Sequence, residues 1–222
     1  MLQALSRPIR RVYRAIFPRR KQGFSGSQNY WEQRYAAGGN SGAGSYSRLA
    51  EFKAEVLNDF VREHGIQSVI EFGSGDGAQL GLARYPKYLG TDVSKTAIAR
   101  CKEIYAKDPS KSFILSSDLP KDHKSELSLS LDVIYHLVED AVFDAYMRSL
   151  FAASSRFVGV YASNDDKAWT SPHVRHRRFT DWIEKNEPAW RQYRVVKNRY
   201  PYDPADVDNT SFADFFFYAK NS

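Results

Sequence analysis

The run from Val69 to Gly77 constrains the fold of this chain more than any other stretch. It consists of Val-Ile-Glu-Phe-Gly-Ser-Gly-Asp-Gly, a short apolar strand followed by three glycines at alternate positions. A second apolar run, from Tyr88 to Thr91, ends at Asp92. A glycine turn lets a ligand approach the backbone N–H groups, and an acid about 20 residues later is placed to bind a ribose. The pattern therefore predicts an α/β sheet that binds a nucleoside cofactor.

The glycine spacing alone is compatible with more than one nucleoside cofactor. Gly73, Gly75 and Ala78 satisfy the G-x-G-x-x-G/A form of dinucleotide enzymes, so NAD is one candidate. Two details favour S-adenosylmethionine instead. Glu71 lies two residues before the first glycine, and a third glycine, Gly77, keeps the turn open.

The run from Glu71 to Gly77 resembles motif I of class I S-adenosylmethionine-dependent methyltransferases, E/D-x-G-x-G-x-G. Residues 129–137, Leu-Ser-Leu-Asp-Val-Ile-Tyr-His-Leu, resemble the motif after the fourth strand of that family. The resemblance covers residues 30 to 220. It implies a Rossmann-like three-layer sandwich, with a mostly parallel seven-stranded sheet and an antiparallel C-terminal hairpin strand. It also implies methyl transfer from S-adenosylmethionine.

Strands and helices alternate along the chain, which predicts a parallel sheet with helices on both faces. One helix is predicted directly after the glycine turn, and no helix separates the last two strands, which matches the family's closing antiparallel hairpin. The other predicted helices cover residues 49–64, 95–107, 142–153 and 179–187. The predicted strands cover residues 68–71, 88–92, 112–115, 127–131, 156–161, 191–197 and 212–220.

Residues 1–29 form a basic tail and linker ahead of a domain over residues 30–222. The formal net charge is +6, yet residues 1–21 contribute seven positive charges and no acid precedes Glu32. The rest of the chain therefore has a net charge of −1, and we expect no nucleic-acid partner. The basic residues of the tail are Arg7, Arg10, Arg11, Arg14, Arg19, Arg20 and Lys21.

The tail also has an apolar stripe at steps of three and four residues. Pro8 is tolerated near a helix start and Pro18 would end the helix, so the pattern predicts a short basic amphipathic helix. Such a helix can bind an anionic membrane surface, with about 1 kcal/mol from each basic residue. A disordered arm and a mitochondrial presequence remain alternatives. The stripe consists of Leu2, Leu5, Ile9, Val12, Tyr13, Ile16 and Phe17.

Several features indicate the compartment. The chain has one cysteine, Cys101, which suits a reducing environment. No apolar run approaches the roughly 20 residues of a spanning helix, and the amino terminus lacks the apolar core of a signal peptide. We expect a cytoplasmic protein that is peripheral at the inner face of the membrane if the tail binds there.

Ligands of open α/β sheets bind beyond the carboxyl ends of the strands, and this rule selects the candidate cofactor site. Asp92 is either a ribose ligand or a helix cap before Ser94. The resemblance places Asp118 at the adenine amino group, although a turn residue is the alternative. Glu71 is expected near the methionine amine, and Asp132 at the sulfonium end or as a cap. The full cofactor set is Glu71, Gly73, Ser74, Gly75, Gly77, Asp92, Val93, Asp118, Leu119 and Asp132.

The acceptor side is predicted from the loops after the fourth and fifth strands. His136 is either a general base or a structural residue that bonds a lid, with Asp165 and His176 as further candidate bases. The spacing of His173, His176 and Asp165 or Asp166 is weak evidence for a metal, and we expect none. The candidate substrate-binding residues are Tyr135, Asn164, His173, Arg175, Tyr200 and Tyr202.

An aromatic segment, Tyr30 to Tyr35, precedes a glycine-rich stretch at residues 38–45. In the family that the chain resembles, such a segment folds over the cofactor. The stretch is therefore a mobile lid that excludes water, or simply a flexible connector.

The resulting functional hypothesis is a methyltransferase acting on a saccharide hydroxyl of a cell-surface glycan or its lipid-linked precursor. Residues 31–35 and 132–137 are similar to methyltransferases of bacterial polysaccharide pathways. The alternatives are a small-metabolite O- or N-methyltransferase and a non-catalytic S-adenosylmethionine-binding protein. The sequence does not indicate the oligomeric state.

Overall fold

The computed structural model describes residue 24 and residues 26–221, so the basic tail of residues 1–21 lies outside the described residues. Seven strands form one sheet, in the order β3-β2-β1-β4-β5-β7-β6. The strands are β1 Val69–Phe72, β2 Tyr88–Asp92, β3 Lys111–Leu115, β4 Ser125–Leu131, β5 Ser154–Ala162, β6 Trp190–Val196 and β7 Asp214–Lys220.

The first five strands are parallel, and β7 pairs antiparallel with both β5 and β6. Phe72, the last residue of β1, lies opposite Thr91 of β2 and Ser130 of β4. The carboxyl ends of these three strands therefore meet at one edge. The predicted sheet with its antiparallel C-terminal hairpin strand is confirmed.

Five α-helices flank this sheet in the described residues. Helices α2 and α3 cover one face, and α4 and α5 cover the other, so the architecture is the predicted three-layer sandwich. Helix α1 packs against α3. The helices are α1 Ser27–Ala36, α2 Ser47–Glu63, α3 Lys95–Ile104, α4 Asp140–Ala152 and α5 Phe179–Asn186.

Helix α3 shows how the local sequence sets a helix start next to the candidate site. Ser94 follows β2 and has extended backbone, and its Oγ accepts a bond from the backbone N–H of Ala97. This side-chain cap satisfies one of the unpaired donors of the first turn. Asp92 therefore precedes the helix cap rather than forming it.

Two sequence-based expectations are wrong. The helix predicted after the glycine turn is only a short 3₁₀ turn, Gln79–Leu82, because Gly81 and Pro86 leave little room for a longer helix. The sequence pattern also predicts no helix between the basic tail and residue 49, yet α1 begins at Ser27, within the linker predicted to end at Asn29.

The connection between β3 and β4 also lacks an α-helix. Residues 116–124 contain one 3₁₀ turn, Ser116–Asp118, and otherwise cross the α4 side of the sheet without regular structure. Leu119 of this segment packs against the same apolar cluster as Leu89 of β2. This face of the sheet is therefore covered thinly beside α4.

Candidate functional site

The glycine turn after β1 forms the floor of the site. Gly73 and Gly75 have φ angles of +83° and +58°, which side chains rarely adopt. A Cβ at Gly73 would also lie 2.5 Å from Val133 Cγ2. The backbone N–H groups of Gly73 and Ser74 donate to Thr91 O at 2.7 and 2.9 Å, which fixes the turn to β2.

A cavity of about 990 Å³ opens above this turn. It lies at the carboxyl ends of β1, β2 and β4, where the sequence predicts the site. Its wall brings together most of the predicted cofactor residues and one candidate base. These are Glu71, Gly73, Ser74, Gly75, Asp92, Val93, Leu119, Asp132 and His136.

Asp92 lies at the end of β2 and is 6% exposed. Its Oδ2 accepts from the N–H of Gly75 at 3.0 Å, and its Oδ1 accepts from the N–H of Ser94 at 2.8 Å. Burial raises the pKa of this carboxyl to about 6, although the two backbone donors favour the charged form. Each carboxylate oxygen keeps a further lone pair for a hydroxyl donor.

Glu71 lies at the centre of β1, where all four residues are buried. Its Oε2 accepts from the hydroxyl of Tyr88 at 2.8 Å. Burial raises the pKa of Glu71 to about 7, so the side chain is a mixture of acid and carboxylate near neutral pH. The position lines the cavity, in keeping with the predicted contact to an amine, which stays a prediction.

A buried lysine is the residue that sequence reasoning missed. Lys53 of α2 is 1% exposed, and its Nζ donates to Asp132 Oδ2 at 2.6 Å. The hydroxyl of Tyr135 donates to the other oxygen, Oδ1, at 2.9 Å. A lysine is rarely buried without a partner, and this ion pair forms part of the cavity wall.

Asp132 itself has a left-handed backbone, with φ at +60°. Asp tolerates this conformation better than most residues. The turn aims the carboxylate at Lys53, and Gly44 approaches it so closely that a Cβ there would lie 2.8 Å from Oδ2. The glycine-rich stretch therefore lies directly above the ion pair.

The glycine-rich stretch is fixed to the glycine turn through Asp76. The carboxylate of Asp76 accepts from Ser41 N at 3.0 Å, from Ser41 Oγ at 2.8 Å and from Tyr46 Oη at 2.7 Å. Burial acts to raise the pKa of Asp76, but these bonds outweigh it and hold the pKa below its usual value. The stretch predicted to be mobile is thus held over the cavity.

Helix α1 is attached to the domain at three places. Ser27 donates from N and from Oγ to Glu139, and Thr96 Oγ1 donates to Glu32 at 2.6 Å. Tyr30 stacks on His173 with ring centroids 4.4 Å apart. We call residues 27–46 the lid segment, because Ser27, Trp31, Tyr35, Ser41 and Ser45 of it line the cavity.

His136 lies on the cavity wall beneath Trp31, with ring centroids 4.9 Å apart. Its Nδ1 is 2.9 Å from the carbonyl of His173. A carbonyl only accepts, so Nδ1 carries the proton and Nε2 is the acceptor in the neutral ring. Burial lowers the pKa of His136 to about 4, so the ring is neutral at pH 7.

The other two candidate bases lie away from the cavity wall. His176 is buried, its Nδ1 lies 2.6 Å from Ser163 Oγ, and its ring contacts Trp169 and Phe212. Asp165 is half-buried and accepts from the backbone N–H of Lys167. Neither residue is brought together with His136 at the cavity.

Two predicted cofactor residues also lie outside the cavity wall. Asp118 is exposed and its Oδ1 accepts from Ser117 Oγ, whereas its neighbours Ser116 and Leu119 line the cavity. Gly77 contributes its left-handed turn, and its carbonyl accepts from Tyr105 Oη at 2.7 Å. Contacts of Asp118 and Gly77 with a cofactor stay predictions.

The candidate substrate-binding residues are already engaged within the protein. Tyr135 bonds Asp132, and His173 stacks on the lid segment. Arg175 donates to the carbonyl of Val138 and forms an ion pair with Asp140. Tyr200 lies under the guanidinium of Arg48, Asn164 bonds Thr180, and Tyr202 contacts Trp169.

Two buried polar atoms in the cavity wall have no hydrogen-bond partner in the described residues. These are Ser74 Oγ in the glycine turn and Gln79 Oε1 after it. An unpaired buried polar atom is costly, so each is suited to a polar ligand in the cavity. Together with the glycine cradle, they fit a cofactor that carries hydroxyl, amino and carboxylate groups.

The described residues contain neither a metal-ion cluster nor a membrane-spanning helix. No group of three His, Cys, Asp or Glu side chains there is arranged to hold a metal ion. No helix within that part of the chain is long and apolar enough to cross a membrane.

No protein-family model matches the sequence, and no curated protein matches it. Solved structures do match the fold. The N-methyltransferase NodS from Bradyrhizobium japonicum, in complex with S-adenosylhomocysteine, has a TM-score of 0.70 at 13% identity, covering 89% of this chain and 100% of that chain.

Two other structures extend the comparison. Magnesium protoporphyrin IX methyltransferase from Synechocystis, with bound S-adenosylhomocysteine, has a TM-score of 0.59 at 14% identity, covering 78% of this chain and 85% of that one. The CurJ carbon methyltransferase has a TM-score of 0.54 at 12% identity, and the match covers 81% of this chain and 57% of that one. The chain therefore has the Rossmann-like fold of S-adenosylmethionine-dependent methyltransferases.

Proposed function

We propose that the protein is a methyltransferase that uses S-adenosylmethionine. The observation that carries this proposal is the charge of the cavity wall around the glycine turn. Four acids, Glu71, Asp76, Asp92 and Asp132, lie there with Lys53, whereas the other charged residues of the wall, Lys121, Glu139 and Arg148, belong to the β3–β4 connection and to the α4 side. A cofactor with sulfonium and ammonium groups is attracted by that wall, whereas the pyrophosphate of NAD would be repelled by it.

Each chemical group of S-adenosylmethionine has a suitable residue in the cavity wall. Asp92 is placed for the ribose hydroxyls, because its carboxylate keeps free lone pairs at the end of β2. Glu71 and the unpaired hydroxyl of Ser74 are suited to the methionyl part, and Leu119 to the apolar face of adenine. When bound, S-adenosylmethionine supplies an electrophilic methyl group on its sulfonium.

The chain's own residues would then exclude water and handle a proton. The lid segment lies over the cavity and is fixed by Asp76, which keeps solvent from the reacting atoms. Within the cavity, His136 presents Nε2 as an unprotonated acceptor. We assign His136 as the general base for a hydroxyl acceptor, since such an acceptor is a very weak acid. Holding donor and acceptor in line supplies most of the remaining rate.

The acceptor that we propose is a saccharide hydroxyl of a cell-surface glycan or its lipid-linked precursor. The support is a pair of exposed aromatic rings, Trp169 and Tyr202, which are 38% and 37% exposed with centroids 5.6 Å apart. They connect through Phe212 to Tyr135, which bonds Asp132 at the cavity. Exposed aromatic rings beside polar loops suit a sugar, because the rings supply rigid apolar area at low entropic cost.

The fold alone does not select the acceptor atom, because structures that share it include an N-methyltransferase and a carbon methyltransferase. A small-metabolite acceptor is therefore the second candidate. The aromatic pair favours the saccharide. Replacing Trp169 with alanine is expected to raise the KM of a saccharide acceptor and to leave cofactor affinity unchanged.

The tail of residues 1–21 would hold the protein at an anionic membrane surface, close to lipid-linked acceptors. The support is the sequence: seven basic residues beside a continuous apolar stripe. Vesicles with and without anionic lipid test this directly. Binding that is absent even at low salt would remove the membrane from the proposal.

Two experiments test the proposed reaction. The first is calorimetry of the purified protein with S-adenosylhomocysteine and with NAD, where binding of the former alone is expected. The second is mass spectrometry of surface glycans from cells with and without the protein. The expected result is a mass difference of one CH₂ unit on a sugar. Binding of NAD without S-adenosylhomocysteine would overturn the cofactor proposal, and unchanged glycans would overturn the acceptor proposal.

A further inference from the structure

A groove lies beside α4 because the β3–β4 connection contains no α-helix. In parallel sheets, the crossover between strands is usually a helix, and both faces of the sheet are covered. Here residues 116–124 make that crossover with one 3₁₀ turn only. The space that a crossover helix would fill beside α4 is therefore left as a groove.

Two walls define this feature, which we call the α4 groove. One wall is the exposed side of α4, where Val142 is 44% exposed and Ala145 and Ala152 are exposed as well. The other wall is the β3–β4 connection, with Leu119 and Pro120. All five of these residues line the large cavity, so the groove continues from the cofactor site along the whole of α4.

The described chain begins at one end of this groove. Gly26 and Ser27 line the same cavity. Ser27 donates from N at 3.0 Å and from Oγ at 2.6 Å to the carboxylate of Glu139, the N-cap residue of α4. Whatever precedes residue 24 therefore starts within reach of the amino-terminal end of α4.

The preceding segment has a suitable pattern. Its apolar stripe includes Ile9, Val12 and Ile16, and Pro18 would end a helix after Phe17. Pro8 suits the first turn of a helix but not its interior, so a helix of residues 8–17 spans about 15 Å, against about 20 Å for the thirteen residues of α4. Small side chains such as Ala145 let a second helix approach to the usual packing distance of about 8–10 Å.

We propose that residues 8–17 pack into the α4 groove as an amphipathic helix, antiparallel to α4. The tail then occupies the place of the missing crossover helix, with its apolar stripe on the groove and its arginines towards solvent. This inference does not depend on methyl transfer. The same apolar side chains would enter a membrane, so docking in the groove and binding to a vesicle exclude each other.

Limited trypsin digestion of the full chain tests the docking. Three tryptic sites, Arg10, Arg11 and Arg14, lie within the docked segment, and their cleavage follows the fraction of time it is released. We expect these three sites to be cut about tenfold more slowly in the native protein than in a synthetic peptide of residues 1–21. Masses of the released tail peptides give the rate without interference from cuts elsewhere.

Matched variants identify the groove as the docking site. Ala145→Arg places a long charged side chain in the groove and should bring the cleavage rate to that of the peptide. Ala99→Arg makes the same change on an exposed position of α3, on the other face of the sheet, and should leave the protection intact. Replacing Ile9 and Ile16 with serine should remove protection without any change to the folded domain.

The groove variant should also change how strongly the protein binds to membranes. Ala145→Arg should strengthen binding to anionic vesicles, because it removes the competing docked state. High salt should weaken vesicle binding but not groove protection, since the docking is apolar.

Several outcomes would overturn the proposal. Tail cleavage at the peptide's rate in the native protein means that the tail is not docked. Protection that survives both Ala145→Arg and the serine variant places the tail elsewhere. Protection that falls on dilution means that the groove holds the tail of a second copy.

Discussion

At the scale of single residues, Asp92 combines burial with a proposed role in cofactor binding. Two backbone N–H groups hold its carboxylate in place, yet burial raises its pKa to about 6. The charged form is the better acceptor for two ribose hydroxyls. The protonation state of this one side chain should therefore control cofactor affinity near neutral pH.

We predict that affinity for S-adenosylhomocysteine falls as the pH is lowered through about 6. Below that pH the free protein holds a proton on Asp92, and this proton must leave before the carboxylate can accept both bonds. Above it no proton is displaced, so affinity is constant. Calorimetry between pH 5 and pH 8 in buffers of different ionisation enthalpy measures both the affinity and the proton release.

Asp92→Asn should remove this pH dependence and lower the affinity about tenfold to a hundredfold, equivalent to about 1.5–3 kcal/mol. Asp208→Asn is the matched control, because Asp208 is an exposed aspartate away from the cavity wall. If the Asp92 variant binds as the native protein does, Asp92 is not a ribose ligand.

A separate prediction concerns His136 as the proposed base. His136→Ala should lower kcat by about 10²–10⁴. Burial moves the pKa of His136 to about 4, so the acid limb of kcat should lie near pH 4 rather than near the usual histidine value. The neutral ring is the active form, so kcat falls as the pH drops through that value.

His136→Gln separates a base from a scaffold. Its amide can donate to the carbonyl of His173 as Nδ1 does, but it cannot take up a proton. Both variants should be equally impaired if the histidine is the base. Recovery of kcat in the glutamine variant would assign His136 a structural role.

At the scale of elements, the glycine turn and the lid segment fit each other only because Gly75 has no side chain. A Cβ at Gly75 would overlap Ser41 Oγ and lie 2.9 Å from Tyr35 Oη. The φ angle of +58° adds strain for any other residue. The turn thus determines where the lid segment can rest.

We predict that Gly75→Ala displaces the lid segment from Asp76. The left-handed backbone alone should cost about 1–2 kcal/mol of unfolding free energy. Faster hydrogen exchange at residues 38–46 and faster cofactor dissociation should accompany it. Gly81→Ala is the control, since its nearest neighbour would be Tyr105 Oη at 3.6 Å and its φ is ordinary. Equal exchange in the two variants would contradict the coupling.

The elements were largely predictable because local patterns determine them. Strand β2 has the bounds that the sequence predicts, Tyr88–Asp92. Helix α2 follows an apolar stripe, but Lys53 lies within that stripe, four residues after Leu49 and four before Leu57. That position was the available signal for a buried lysine, and its partner Asp132 comes from a distant loop. Such a pairing depends on tertiary packing and not on local pattern.

The remaining differences arise where long-range contacts decide the outcome. His176 and Arg175 belong to a polar loop that the sequence places near the site. In the structure His176 packs among aromatic rings, and Arg175 is paired with Asp140 at the start of α4. Position on the correct edge of the sheet therefore did not determine which side chains reach the cavity.

At the scale of the whole molecule, the site reduces stability in a pH-dependent way. The pKa of Glu71 is about 7 in the folded state, against 4.5 for the free side chain. Between these values the native state binds a proton that the unfolded state does not. The unfolding free energy contributed by Glu71 therefore falls as the pH rises from about 4.5 to about 7.

We predict that Glu71→Gln raises the stability of the free protein at pH 8 by on the order of 2 kcal/mol. Glutamine can still accept from the hydroxyl of Tyr88 but carries no buried charge. The gain over the native protein should shrink towards pH 5, where Glu71 is protonated. Denaturant unfolding at several pH values measures this difference, and a gain that does not change with pH would contradict the assignment.

The position of β7 has a consequence for how the protein is made. Strand β7 is the last strand of the described chain, yet it lies inside the sheet between β5 and β6, with Phe215 and Phe217 fully buried. During synthesis, β5 and β6 leave the ribosome without the strand that joins them. The facing edges of β5 and β6 stay unpaired, and therefore prone to aggregation, until residue 220 has left the ribosome. The sheet can therefore be completed only after residue 220 has been translated.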